Sequence, residues 1–126
     1  MTIRKYSSTS IDTTLAGGGI SAGATTMTVV AGTGATLMGG ITLSPGDQFT
    51  VTVDTDTINE EVVFITARTV DTFDITRGCA GTTAVAHAAG ARVTHALSSD
   101  DLNWFNNMIQ SGAPIGSTPI IDGGTA

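Results

Sequence analysis

The run from Val62 to Ala67 constrains this chain more than any other stretch. Val62, Phe64 and Thr66 alternate with Val63, Ile65 and Ala67. Successive strand side chains point to opposite faces, so this strand is apolar on both sides. Such a strand has no face to give to water. It belongs in the middle of a sandwich or barrel, or against another subunit. Beyond it, Phe73 and Ile75 give a second alternating strand, and Arg92 to Leu97 a third after a long Gly-bounded loop. A three-strand meander over residues 60–97 is the expected central unit.

Upstream, Phe49, Val51 and Val53 alternate with Gln48, Thr50 and Thr52, the pattern of a half-buried strand. A hairpin over Asp54 to Asn59 joins it to the next strand. Met27, Val29 and Ala31 mark one apolar face of an earlier strand, and Ile11, Thr13 and Leu15 a short first one. Between them, Gly32, Gly34, Gly39, Gly40, Pro45 and Gly46 punctuate residues 32–47. That segment reads as a long loop containing a short strand around Ile41 and Leu43. Its end, Ser44-Pro45-Gly46-Asp47, is a turn, because proline sets φ at one central position and glycine supplies φ > 0 at the next.

After Leu97 the period changes. Ser98 with Asp101 three residues on resembles a capping box, and Asp100 and Asp101 suit the N-terminal end of a helix dipole. Leu102, Phe105 and Ile109 fall on one helical face, Trp104 and Met108 on an adjacent one, and Gly112 stops the helix. A Pro/Gly-rich tail follows, with Ile115, Ile120 and Ile121 as anchors. The expected layout is one domain over 1–126, with an N-terminal arm (1–10), a β-domain (11–97), a helix (98–111) and a tail (112–126). The expected fold is mainly β, a small antiparallel β-sandwich or barrel with one short C-terminal helix and extended terminal arms.

Composition narrows the function. Aromatic residues are only 5% of the 126, so the core rests on Val, Ile, Leu and Ala. Charged residues are 13%, against about 25% in typical soluble domains, which suits a surface that meets neighbours. A net charge of −6 argues against nucleic acid and against anionic membranes, both of which require basic patches. Arg4 and Lys5 are the one basic pair near the start. Cys79 is the only cysteine, which leaves no intrachain disulfide and no cysteine-based metal site. Ser7 to Ser10 stand where a secretory signal would be apolar.

One segment is distinctive: Thr76-Arg77-Gly78, then Gly81-Thr82-Thr83-Ala84, then Ala86-His87, then Gly90-Ala91 with Val93. Together with Glu60-Glu61-Val62-Val63 and the opening Ile3-Arg4-Lys5-Tyr6-Ser7, it resembles small β-domain structural proteins of tailed-bacteriophage virions, of the minor tail, tail-fibre-anchoring or head-decoration type. Cys79 departs from the resemblance, standing where an aliphatic residue is expected; a reduced cysteine behaves as a small hydrophobe. The resemblance implies a non-enzymatic virion protein made in the host cytoplasm. It also implies a homo-oligomer, a trimer, whose partners are other capsid or tail subunits.

Chemistry-bearing patterns are weak. Asp54 and Asp56 with Glu60 and Glu61 superficially suggest a calcium loop, yet Ile58 stands at a liganding position and no glycine makes the turn. His87 and His95 lack a third nearby ligand type, and in such loops a histidine more often fixes backbone by hydrogen bonds. Cys79 with His87 has no activating charge, and the glycine clusters lack the residues that complete a phosphate loop. Catalytic residues, cofactor and metal are therefore all expected to be absent. Arg77 is expected to bond loop carbonyls or the Glu60/Glu61 pair, or else to face a subunit interface. The interface candidates are Arg4, Tyr6, Arg77, Trp104, Phe105, Ile120 and Ile121. A glycan-binding module of a phage receptor-recognition apparatus is the alternative, with Tyr6 and Trp104 the only Tyr and Trp to serve as a sugar platform.

Overall fold

The computed structural model describes residues 3–96 and 99–110. The chain forms two compact units, Met1–Ala96 and Leu97–Ala126. The first holds β1 (Ile3–Lys5), β2 (Thr13–Thr14), β3 (Thr26–Thr28), α1 (Gly34–Met38), β4 (Asp47–Val53), β5 (Glu61–Thr69), β6 (Thr72–Cys79) and β7 (Arg92–His95). The second holds α2 (Ser99–Gln110). Ser98, Gly112 and the tail with Ile115, Ile120 and Ile121 lie outside the described residues, as does the side chain of Met108.

The strands follow the order β2-β7-β4-β5-β6-β3, and the two ends of this sheet meet. A bridge pairs Leu15 with Val29. Around it the Ala16 N–H donates to the Thr28 carbonyl at 3.0 Å and the Val30 N–H to the Thr14 carbonyl at 3.1 Å. The sheet thus curls into a small barrel, which removes the exposed edges that invite aggregation. The expected mainly β fold with a short C-terminal helix is what the chain adopts.

The expected meander over 60–97 needs correction. β5 and β6 pair antiparallel, but β7 crosses over to pair with β4, Val51 opposite His95 and Val53 opposite Val93. The consecutive three-strand unit is therefore β4-β5-β6. The 12-residue connection from Ala80 to Ala91 is long enough to carry β7 to the far side of β4, and only there does Val93 reach the interior, where it is fully buried.

The N-terminal arm is also not free. β1 pairs parallel with β4, Ile3 opposite Asp47 and Lys5 opposite Phe49. One edge of β4 is thus shared, its first half taken by β1 and its second half by β7. His95 joins the two. Its Nδ1–H donates to the Thr50 carbonyl at 2.6 Å and its Nε2 accepts from the Ser7 N–H at 3.2 Å, while its ring stacks on Phe49 at 3.9 Å.

The core is the inner face of the barrel. Phe49, Val51 and Val53 on β4 face Ile65, Val63 and Glu61 on β5 in register, with Phe73, Met27, Val29, Leu15 and Val93 completing it. β5 is buried on both faces from Glu61 to Ile65, as its pattern requires. β4 departs from its half-buried pattern: Thr50 and Thr52 are buried too, at 1% and 7% exposure. They sit opposite Phe64 and Val62 on the outer face, so the apolar outer side of β5 draws them out of water. Among the short elements, Ile11 is 61% exposed, and only Thr13 and Leu15 of that segment turn inward.

The expected short strand around Ile41 and Leu43 does not form; α1 is the only regular element in residues 32–46. Leu37 and Met38 are buried on it at 0% and 2% exposure. Gly39 ends it in the left-handed conformation at φ 57° and donates to the Ala35 and Thr36 carbonyls, the usual glycine helix stop. A five-residue helix has too few turns to show a period, so glycine punctuation masked it.

Candidate functional site

A carboxylate on the inward parity of an apolar strand is the feature from which the site is built. Glu61, Val63 and Ile65 point the same way along β5, and Glu61 is fully buried. A buried charge must be paired and hydrogen-bonded. Phe73, Ile75 and Arg77 share the inward parity of β6, and Arg77 meets Glu61 side-on. Its Nε donates to Glu61 Oε2 and its Nη2 to Glu61 Oε1, both at 2.8 Å, the bidentate geometry that suits guanidinium to carboxylate.

The remaining guanidinium donors go to backbone. Nη1 donates to the Ser21 and Ala24 carbonyls at 2.7 and 3.0 Å, and Nη2 also to the Val85 carbonyl at 2.7 Å. Glu61 in turn accepts from the Gly78 N–H at 2.8 Å and the Val85 N–H at 3.2 Å. Arg77 is expected from the sequence to bond loop carbonyls or the Glu60/Glu61 pair; it bonds loop carbonyls and Glu61 together, while Glu60 instead accepts from the Asp56 N–H. The Arg77 side chain is 10% exposed.

His87 completes the cluster from the loop that follows β6. It is 3% exposed, and its backbone pairs with Ile20, N–H to carbonyl in both directions at 2.9 Å. Its Nε2 lies 2.9 Å from Glu61 Oε1 and its Nδ1 2.6 Å from Asp54 Oδ2. Carboxylates only accept, so both contacts are hydrogen bonds when each ring nitrogen carries a proton. Two carboxylates, one guanidinium and one imidazole therefore sit in contact at one end of the barrel. Gly19 makes room for the loop: a Cβ there would lie 2.0 Å from the His87 carbonyl oxygen.

Electrostatics follow from the packing. Burial pushes the Glu61 carboxyl up, but hydrogen bonds from Arg77, His87, Gly78 and Val85 outweigh it and hold it well below its ordinary 4.5, at about 2. Glu61 thus stays ionised at neutral pH and acts as an acceptor for five donors. At the opposite end of β5, the Gly32 and Gly34 N–H groups donate to Asp71 at 3.0 and 2.9 Å, which lowers that carboxyl too.

The other candidate residues are dispersed. Arg4 on β1 lies over the Phe64 ring at 4.7 Å, and Tyr6 tilts against His95 at 6.2 Å. Trp104 and Phe105 on α2 contact each other edge-on at 5.2 Å, both half-buried. Ile120 and Ile121 lie outside the described residues. Cys79 is half-buried, its Sγ 3.4 Å from the Thr76 carbonyl. Among the described residues no group of three or more His, Cys, Asp or Glu is arranged to hold a metal ion, and no helix is long and apolar enough to cross a membrane.

Beside His87 the surface opens into a groove of about 720 Å3, bordered by Asp54, Asn59 and the Ala86–Ala91 stretch. The sequence pattern pointed to the contacts of Arg77 with Glu61 and loop carbonyls but not to Asp54 and His87 as partners across 33 positions. The readable signal was Glu61 itself, whose inward parity demands several donors. No family model matches the chain, and no curated protein is significantly similar to it in sequence.

Proposed function

We propose that the chain is a non-enzymatic structural protein of a tailed-phage virion, a small β-barrel that self-associates and assembles on the surface of a capsid or tail. The observation that carries this reading is how the chain uses the segment through which it resembles such proteins. Arg77, Gly78, Val85 and His87 all engage Glu61. Thr82 bonds the Val62 N–H at 2.9 Å. These groups fasten the ends of β5 and β6, the following loop and the Ser21–Ala24 turn to one another, so the segment works by holding a shape.

The charge-poor composition supports contact with neighbouring subunits, and Ile58 and Val70, at opposite ends of β5, are 100% and 71% exposed. A trimer is the state that the resemblance implies. The test is the mass of the purified chain by light scattering over a range of concentrations. A trimer or larger assembly without added ligand is expected; a monomer at the highest concentration overturns self-association.

A further inference from the structure

We propose that the contact between His87 and Asp54 is a proton-operated latch: it fastens the connection of residues 54–60 to the loop of residues 80–91, and releases it when the pair loses the proton it shares. The latch belongs to the barrel itself and operates whether or not the chain assembles on a virion.

Glu61 fixes one half of the ring. That carboxylate is fully buried and accepts from Arg77, Gly78 and Val85 as well as from His87, so Nε2 keeps its proton and donates to Glu61 Oε1 at 2.9 Å. Only Nδ1 is left to vary. With a proton between them, Nδ1 and Asp54 Oδ2 make a charge-assisted hydrogen bond at 2.6 Å. Without it, the Nδ1 lone pair faces a carboxylate oxygen at that distance, and two acceptors so close repel each other. Turning the ring over gives no relief, because the bare nitrogen then faces Glu61 instead.

The side that yields is Asp54. Its side chain is 23% exposed and that of Glu61 0%, so Asp54 can turn to water and Glu61 cannot. Asp54 also anchors the connection it begins. Its carbonyl accepts from the Thr57 N–H and hydroxyl at 3.1 and 2.8 Å, and its backbone is left-handed at φ 57°, a conformation that persists where the surroundings over-determine it. Among the described residues, no other side-chain hydrogen bond joins residues 54–60 to residues 80–91. The charged groups around the ring are Asp54 just after β4, Glu61 on β5 and Arg77 on β6. The turn at residues 18–21 and the neighbouring Ala86, Ala88 and Ala89 bring none, Arg92 on β7 turns to Asp12, and Glu60 turns to the Asp56 N–H. With both ring protons in place the two carboxylates, guanidinium and imidazolium balance; loss of one proton to solvent leaves a net negative charge. Ile58, 100% exposed, lies in the connection that is then released.

The test follows the ring nitrogens of His87 by NMR in the isotope-labelled full chain, together with amide hydrogen exchange corrected for the intrinsic rates. The span is about pH 5 to about pH 8, where histidine side chains change charge. As the pH rises, Nδ1 is expected to lose its proton while Nε2 keeps its own. Local opening of residues 54–60 is expected to rise about tenfold or more with the same midpoint, as loss of a hydrogen bond between charged groups does. The Val63 and Ile65 amides should stay unchanged. Asp54→Asn, which suits the left-handed backbone, can offer its oxygen to a protonated Nδ1 and its NH2 to a bare one, so the rise should shrink to about twofold or less. If that variant does not fold, the two curves of the parent chain decide. The latch is overturned if Nδ1 keeps its proton count over this span, if residues 54–60 open at a different pH from the ring, if Val63 and Ile65 open equally, or if folded Asp54→Asn keeps the full rise.

Discussion

Replacing Glu61 by glutamine keeps the shape of the barrel end and removes its charge. The variant retains one acceptor oxygen, but its NH2 faces the donors of Arg77 and Gly78 that the lost oxygen served at 2.8 Å. A carboxyl brought from 4.5 to about 2 represents about 3 kcal/mol in favour of the folded state at neutral pH, at about 1.4 kcal/mol for each tenfold change in proton affinity. Breaking a buried ion pair on one side costs about 3–5 kcal/mol in general, so the two routes agree. The folded-state value is depressed, so this contribution is complete above about 4.5 and is lost as the pH falls through about 2. The destabilisation by Glu61→Gln, measured by urea unfolding, is expected to be about 3 kcal/mol near neutrality and to shrink to about half of that at about pH 3. A cost that is the same at both pH values, or one below about 1 kcal/mol at neutrality, would refute the claim that the ionised carboxylate organises this end of the barrel.

Three further outcomes are expected. Gly19→Ala places a Cβ 2.0 Å from the His87 carbonyl at φ 58°, whereas Gly18→Ala at φ 92° meets nothing within 4 Å; both are strained, but thermal unfolding should show a clearly larger loss for Gly19→Ala, by about 1 kcal/mol or more. Asp71→Asn weakens the hold on the Gly32 and Gly34 N–H groups, and because the Asp71 carboxyl is lowered, the parent's advantage in melting temperature should be present above about 3.8 and fade as the pH drops below it. Phe73→Ala, at a fully buried position, should cost about 3–5 kcal/mol in chemical denaturation; a loss below about 1 kcal/mol would mean that the core does not close around β6.

The strands of the β-unit were legible where side-chain parity recorded them. Val62 to Ile65 show the doubly apolar pattern, and both faces are buried; Phe73 and Ile75 alternate, and both point inward. The turn at Ser44–Asp47 was legible from its proline and glycine and closes with the Asp47 N–H donating to the Ser44 carbonyl at 2.9 Å. α1 was hidden because five residues do not establish a period. The burial of Thr50 and Thr52 was hidden because threonine is compatible with either side of a sheet, and its neighbours across the strands decide.

Within the site, Glu61 and Arg77 could be linked from sequence because they share inward parity on adjacent strands. His87 and Asp54 could not, because each lies in a connection whose path is set by what it spans. Sequence by itself determined which strand positions share a face, and so a β-core built around Phe49, Val51, Val53, Phe73 and Ile75. Only the tertiary structure decided that β7 crosses to β4, that β1 completes the same edge, and that the crossing loop delivers His87 to Glu61. The physical reason is range. Side-chain alternation is a local property of each strand, whereas pairing order depends on which distant edges can be joined while every buried polar group finds a partner.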